Sequence, residues 1–153
     1  MKNIFSTFLL LVLCTLTACA QDKGSKNDTP KEGNMKIKII IGGTEFTADL
    51  YENETAKAFA AKLPITVNMT DLNGNEKYYY FPQNLPSGTA QRPETIHTGD
   101  IMLYSTNCLV LFYKTFSTSY SYIKIGRITN TSGLETALGK GNIEVTFEAS
   151  DGT

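Results

Sequence analysis

Few side chains in this sequence are equipped for chemistry, and their scatter limits what that chemistry could be. His97 is the single histidine, followed by Thr98-Gly99-Asp100 where a loop meets an apolar run. One imidazole with only Glu94 and Asp100 nearby cannot assemble a metal site, and it reads as a turn or capping residue rather than a catalytic base. Neither a metal nor a cofactor is therefore expected. Arg92 and Arg127 carry the guanidinium groups. Arg92, in Gln91-Arg92-Pro93, reads as a solvated loop residue, with anion or substrate contact as the alternative. Arg127 follows Gly126 in a β-rich stretch and is expected to reach a loop carbonyl or a carboxylate and lock the fold. Cys108 has no adjacent basic residue to activate its thiol, and no serine has a His/Asp context, so nucleophilic catalysis is not expected.

The aromatics are more suggestive. Tyr78, Tyr80, Phe112, Tyr113, Phe116, Tyr120 and Tyr122 crowd the middle of the chain. Strand alternation sends Tyr78 and Tyr80 to one face and Tyr79 and Phe81 to the other, so half of them should be core. Tyrosines left at a rim could stack on a sugar, a flavin or a peptide, each offering an apolar body and a polar tip. Packing in the core or rim is the competing reading. The candidate binding residues are thus Tyr78, Tyr80, Arg92, His97, Phe112, Tyr113, Tyr120 and Arg127.

These residues must be held by β-structure. Residues 35–41 alternate, with Ile37, Ile39 and Ile41 on one face, and 44–50 alternate through Phe46, Ala48 and Leu50 after a Gly42-Gly43 turn. Asn53 offers a cap to a short helix over 54–63, whose apolar face is Ala56, Phe59, Ala60 and Leu63, and Pro64 ends it. Residues 65–71 and 76–81 flank Asn73-Gly74, a strong hairpin signal. Residues 82–98 hold three prolines and a glycine and read as a long loop, a length often tied to function. Strands are expected over 100–104, 109–113, 122–129 and 142–148, and a second helix over 132–138. Seven or eight short strands with two short helices argue for a mainly β, closed barrel, since closure removes exposed edges.

That order of elements, with TGDIMLY (98–104), LVLFY (109–113) and IGRI (125–128), resembles the bacterial cyclophilin-like domain family over about residues 35–148. The opening MKIKIIIGGTEFTADLYENETAKAFAAKLP and the closing GLETAL (133–138) are similar to it as well. The resemblance implies a barrel of about eight strands with a helix at each end, in a family mostly without an established activity, some of whose members accompany flavodoxin-like redox domains. True cyclophilins isomerise X-Pro bonds over an amide barrier of roughly 18–20 kcal/mol, using an arginine on an aromatic-rich strand that is followed by a Phe-Met-x-Gln run. The nearest stretch here is Tyr78-Tyr79-Tyr80-Phe81-Pro82-Gln83, which has no arginine and no Phe-Met pair. The resemblance thus points to a non-enzymatic module for a protein, peptide or small-molecule ligand. A divergent prolyl isomerase acting on envelope proteins is the enzymatic alternative, and it needs Arg92 or Arg127 beside an apolar groove; an accessory domain to a flavodoxin-like redox protein is the other alternative the resemblance implies.

The amino terminus, MKNIFSTFLLLVLCTLTAC, has a positive Lys2 and an apolar run too short for a comfortable span. Its end, Leu16-Thr17-Ala18-Cys19, resembles the bacterial lipobox, which implies a signal peptide over 1–18 and lipid on Cys19. Ala20 stands where an aspartate would signal retention at the inner membrane, so an outer-membrane anchor in the cell envelope is expected. Residues 19–34 have too little apolar surface to offset their chain entropy and read as a tether, leaving a domain over 35–153. The whole chain has 14 basic and 15 acidic residues, and the domain alone 10 and 12. That balance, without a phosphate loop or a basic–aromatic signature, excludes nucleic acid as the expected partner. The membrane, through the lipid, is the expected one.

Overall fold

The computed structural model describes residues 32–150. The signal segment 1–18 and Cys19 lie outside the described residues. In chain order the elements are β1 (Glu32–Ile41), β2 (Thr44–Tyr51), α1 (Glu54–Ala60), β3 (Ile65–Leu72), β4 (Glu76–Tyr80), β5 (Thr95–Ile96), β6 (Asp100–Tyr104), β7 (Cys108–Phe112), β8 (Phe116–Ser117), β9 (Tyr122–Ile128), α2 (Leu134–Leu138) and β10 (Ile143–Ala149). Eight of the strands close a barrel in the order β1-β10-β3-β4-β7-β6-β9-β2. The fold is the mainly β cyclophilin-like barrel expected, with its two short helices. β1 starts at Glu32, ahead of the expected residue 35, because Glu32 pairs with Tyr51 across an irregularity before Lys36.

The alternation read from the sequence places the core. Ile37, Ile39 and Ile41 of β1, Phe46, Ala48 and Leu50 of β2, and Val145 and Phe147 of β10 fill the barrel. The Asn73-Gly74 turn has positive φ at both residues, 55° and 66°, as a tight hairpin between β3 and β4 requires. Asn53 caps α1 by accepting the amide of Ala56 at 2.9 Å, and its own Nδ2 donates to the carbonyl of Lys124 on β9 at 2.9 Å. The helix stops at Ala60 rather than residue 63 because the chain tightens, with Lys62 and Leu63 amides donating to the carbonyls of Phe59 and Ala60. Phe59 stands edge-on to Phe147 with ring centroids 5.4 Å apart. α1 precedes β3 and α2 precedes β10, and these two strands pair antiparallel, so the helices close opposite ends of the barrel.

One feature of the sequence was not resolved by periodicity. The stretch 82–98, expected to be loop throughout, contains β5, and 114–121 contains β8. Thr95 pairs with Ser117 and Ile96 with Phe116. The resulting flap covers the outer surface of β6 and β7, where Ile96, Met102, Cys108, Val110, Phe112 and Tyr122 form a second buried cluster. This explains why CLVLF in β7 is apolar without alternation: one face looks into the barrel and the other lies under the flap.

Candidate functional site

β4 divides the chemistry between two faces. Its inward side chains include Lys77, which is 0% exposed. The Lys77 ammonium donates to Asp71 Oδ1 at 2.7 Å and to the carbonyls of Gly139 at 2.9 Å and Gly141 at 2.6 Å. Those three acceptors use all three of its N–H donors. Its ammonium also lies 5.4 Å from the centroid of the Tyr113 ring. The Tyr113 hydroxyl donates to the same Asp71 oxygen at 2.6 Å, and burial together with Asp71 pushes its ionisation well above the usual phenol range. Lys77 and then Tyr113, by their hydrogen bonds, hold the Asp71 carboxyl below the ordinary carboxylate value. A lysine with every donor occupied has no catalytic capacity to spare. The cluster ties the end of α2 to the β3–β4 hairpin.

The outward face of β4 carries Glu76, Tyr78 and Tyr80. Strand register aligns Tyr80, Cys108, Tyr104 and Tyr122 in one row across β4, β7, β6 and β9. Cys108, small and buried, sits between Tyr80 and Tyr104, so the floor is low where the walls are tall. Val110, opposite Tyr78, continues that floor. The flap residues Phe116 to Tyr120 form the remaining wall. A cavity of about 470 Å³ results, lined by Tyr78, Tyr80, Tyr104, Phe116, Tyr120 and Tyr122 around Cys108 and Val110, with Asn75 and Glu76 at one end. The volume lies in the range of small-molecule sites. Ring contacts set the walls: Tyr104 meets Tyr120 edge-on at 6.0 Å and Tyr122 at a tilt at 5.7 Å, and Tyr78 meets Tyr80 edge-on at 5.6 Å. Backbone bonds fix the flap, with the Thr118 amide donating to Glu94 O at 2.8 Å and Gln91 and Tyr122 exchanging two bonds of 2.9 Å.

Burial sets the ionisation of the groove's titratable side chains. Burial pushes the Cys108 thiol up to about 11, partly offset by a hydrogen bond from Tyr80, so it is a poor nucleophile. Burial likewise moves Tyr122 up to about 12. Glu76 is raised by desolvation. Such a row of tyrosines on the outside of a closed barrel can stack on a planar or apolar body and hydrogen-bond its edge.

The profile of the cyclophilin-like family matches residues 39–148. The chain belongs to the cyclophilin-like family. A solved structure similar to this cyclophilin-like barrel is the solution structure of a hypothetical protein from Archaeoglobus fulgidus. The two are 23% identical with a TM-score of 0.57, over 81% of this chain and 99% of that one. That likeness concerns the fold alone. No curated protein matches the chain.

The cyclophilin-like fold brings only three of the eight candidate residues into the groove: Tyr78, Tyr80 and Tyr120. Phe112 lies beneath the flap at 0% exposure, packed against Phe116 and Tyr122. Tyr113 faces inward, in the Lys77 cluster. Arg127 and His97 meet at the buried Asp100 instead. Asp100 Oδ2 accepts the His97 amide at 2.8 Å, with His97 Nδ1 3.8 Å away, and Arg127 Nε is 3.6 Å from Asp100 Oδ1. Arg127 lines a separate cavity of about 370 Å³ with Asp49, Tyr51, Thr98 and Thr131. Arg92 is exposed and lines neither cavity. Glu76, Asn75 and Tyr104 join the groove without having stood out in the sequence. The signal for Glu76 was present, since it shares the parity of Tyr78 and Tyr80.

Proposed function

We propose that this chain is an envelope-anchored lipoprotein whose cyclophilin-like domain is a non-enzymatic binding module, taking its ligand in the aromatic groove on the outer face of the barrel. The observation that carries this is the groove's composition: six aromatic rings surround the cavity, and no guanidinium is among its lining residues. Prolyl isomerisation needs a cation beside an apolar pocket to polarise the amide. Arg127 is engaged with Asp100 in a polar cavity elsewhere, and Arg92 stands apart from both, which counts against the isomerase alternative. Anchoring rests on the sequence around Cys19 and places the groove at the end of a tether, free to meet ligands near the membrane surface.

A proline-peptide isomerisation assay on the full chain tests the absence of catalysis. Background rates are expected; turnover that disappears in Arg92→Ala or Arg127→Ala would overturn the proposal. Groove binding is tested by following tyrosine-ring resonances of the full chain against a panel of small ligands. Shifts are expected at Tyr78, Tyr104 and Tyr120, and shifts confined to the Arg127 cavity would contradict it. Anchoring is tested by Cys19→Ser, which should move the protein from the membrane fraction to the soluble one.

A further inference from the structure

The charge pattern of the groove defines its ligand more closely than its shape does. Glu76 is the one acidic side chain among the lining residues, and no lysine or arginine is among them. Other acids set into the barrel have cations: Asp49 meets Lys36 at 2.6 Å, Asp71 meets Lys77 at 2.7 Å, and Asp100 meets Arg127 at 3.6 Å. Glu76 is half-buried, and no hydrogen bond or ion pair to its carboxylate is present among the described residues. Desolvating a carboxylate without a partner is unfavourable, so its place at the end of a groove calls for a positive ligand. The negative π faces of Tyr78, Tyr80, Tyr104, Tyr120 and Tyr122 add attraction of the same sign. The carboxylate and the π faces agree, and no cationic side chain lines the groove to draw in an anion.

We infer that the groove selects a small molecule with a protonated amine joined to a flat or apolar body, the ammonium directed at Glu76 and the body stacked on the tyrosines. This rests on the groove being the binding site, and it adds the ligand's chemical class. Glu76 then fixes the charge preference, while the rings contribute to affinity for charged and neutral bodies alike.

Three probes of one shape separate these contributions: benzylammonium, benzyl alcohol and benzoate, titrated into the full chain at neutral pH and low salt and read by tyrosine-ring resonances. Benzylammonium is expected to bind about tenfold or more tightly than benzyl alcohol, with benzoate weakest. In Glu76→Gln, of nearly the same shape, that preference should vanish while benzyl alcohol affinity stays within about twofold. Tyr120→Leu, on the exposed flap, should weaken both probes and keep the preference. Equal binding of all three probes, or a preference that survives in Glu76→Gln, overturns the ammonium assignment and leaves the groove as a site for neutral ligands. Failure of every probe to shift a groove resonance overturns the assignment and the groove together.

Discussion

Lys77→Met isolates the contribution of the buried lysine to the fold. Methionine keeps most of the stem volume and removes three donors. The carbonyls of Gly139 and Gly141 belong to exposed residues, so they can turn to water at small cost. Asp71 keeps the Tyr113 hydroxyl but loses its cation, and its side chain is 23% exposed. Breaking a buried pair by removing one partner costs roughly 3–5 kcal/mol, and partial solvation of Asp71 places this case near the lower end, at about 3 kcal/mol. With about 4 °C of melting temperature per kcal/mol for a domain of this size, Tm should fall by about 12 °C. The double variant Lys77→Met/Asp71→Asn retains an acceptor for Tyr113 and removes the stranded charge. It should recover at least about 1 kcal/mol relative to Lys77→Met.

The pH dependence gives an independent check. The folded Asp71 carboxyl is held below its ordinary value, chiefly by Lys77 and then by Tyr113. Its stabilisation is therefore complete above the unfolded carboxylate pKa of about 3.9 and is lost as pH falls through the lower folded value. Wild type should lose stability through that acid window more steeply than Lys77→Met, so the difference between them narrows at low pH. Urea denaturation from about pH 6 to about pH 2 measures this. A cost below about 1 kcal/mol for Lys77→Met at neutral pH, together with no recovery in the double variant, would refute the assignment of Lys77 as the lock between α2 and the barrel.

Three other substitutions or modifications probe the remaining elements. A Cβ at Gly126 would lie 2.6 Å from the carbonyl of Asp49 and 2.8 Å from Leu50 Cδ2, so Gly126→Ala should cost about 1–3 kcal/mol by thermal melting, where no change would mean that β9 and β2 can separate freely. With its pKa near 11, Cys108 at pH 8 should be about one part in a thousand thiolate, and its alkylation by iodoacetamide should lag a free cysteine peptide by about a hundredfold. For Glu76, burial raises the folded pKa, so folding loses stability as pH rises from the unfolded value through the folded one. Glu76→Gln should therefore match or exceed wild type in Tm at neutral pH and lose that advantage in acid; a lower Tm at neutral pH would mean that the carboxylate has a partner in the fold.

What could be read in the sequence followed from local physics. Alternation along 35–41, 44–50 and 142–148 needs only neighbours two apart, and it located the inner face of the barrel. Asn53 and Asn73-Gly74 carry their instructions within a few residues. The flap does not. β5 and β8 are two residues each, too short to show a period, and their partners, Thr95 with Ser117 and Ile96 with Phe116, are distant in the chain. Lys77 was hidden for another reason. Its parity with Tyr79 and Phe81 pointed inward, but a lysine is placed on the surface by default. Its acceptors at Gly139 and Gly141 lie 62 and 64 residues away. Candidate residues chosen by type alone were divided by the fold among the groove, the Asp100 cluster, the flap core and the barrel interior, with Arg92 left exposed outside all four. Type says what a side chain can do; only the pairing of distant strands says what it meets.

The arrangement also separates what holds the domain together from what it recognises. Glu76 and Lys77 are adjacent in sequence yet face opposite sides of one strand, the first toward the groove and the second toward the sealed interior. A substitution at Glu76, Tyr80 or Tyr120 touches no residue of the main core, whereas one at Lys77 or Tyr113 touches the closure of the barrel. The long loop has a structural part in this separation: Ile96 inserts into the second cluster, and Glu94 and Gln91 hold the backbone of Thr118 and Tyr122. The floor of the groove is thus barrel and its far wall is loop. Changes along 118–120 can alter which body fits beside Glu76 while Phe116 keeps its packing on the strands beneath, which is what a binding module on a constant scaffold requires.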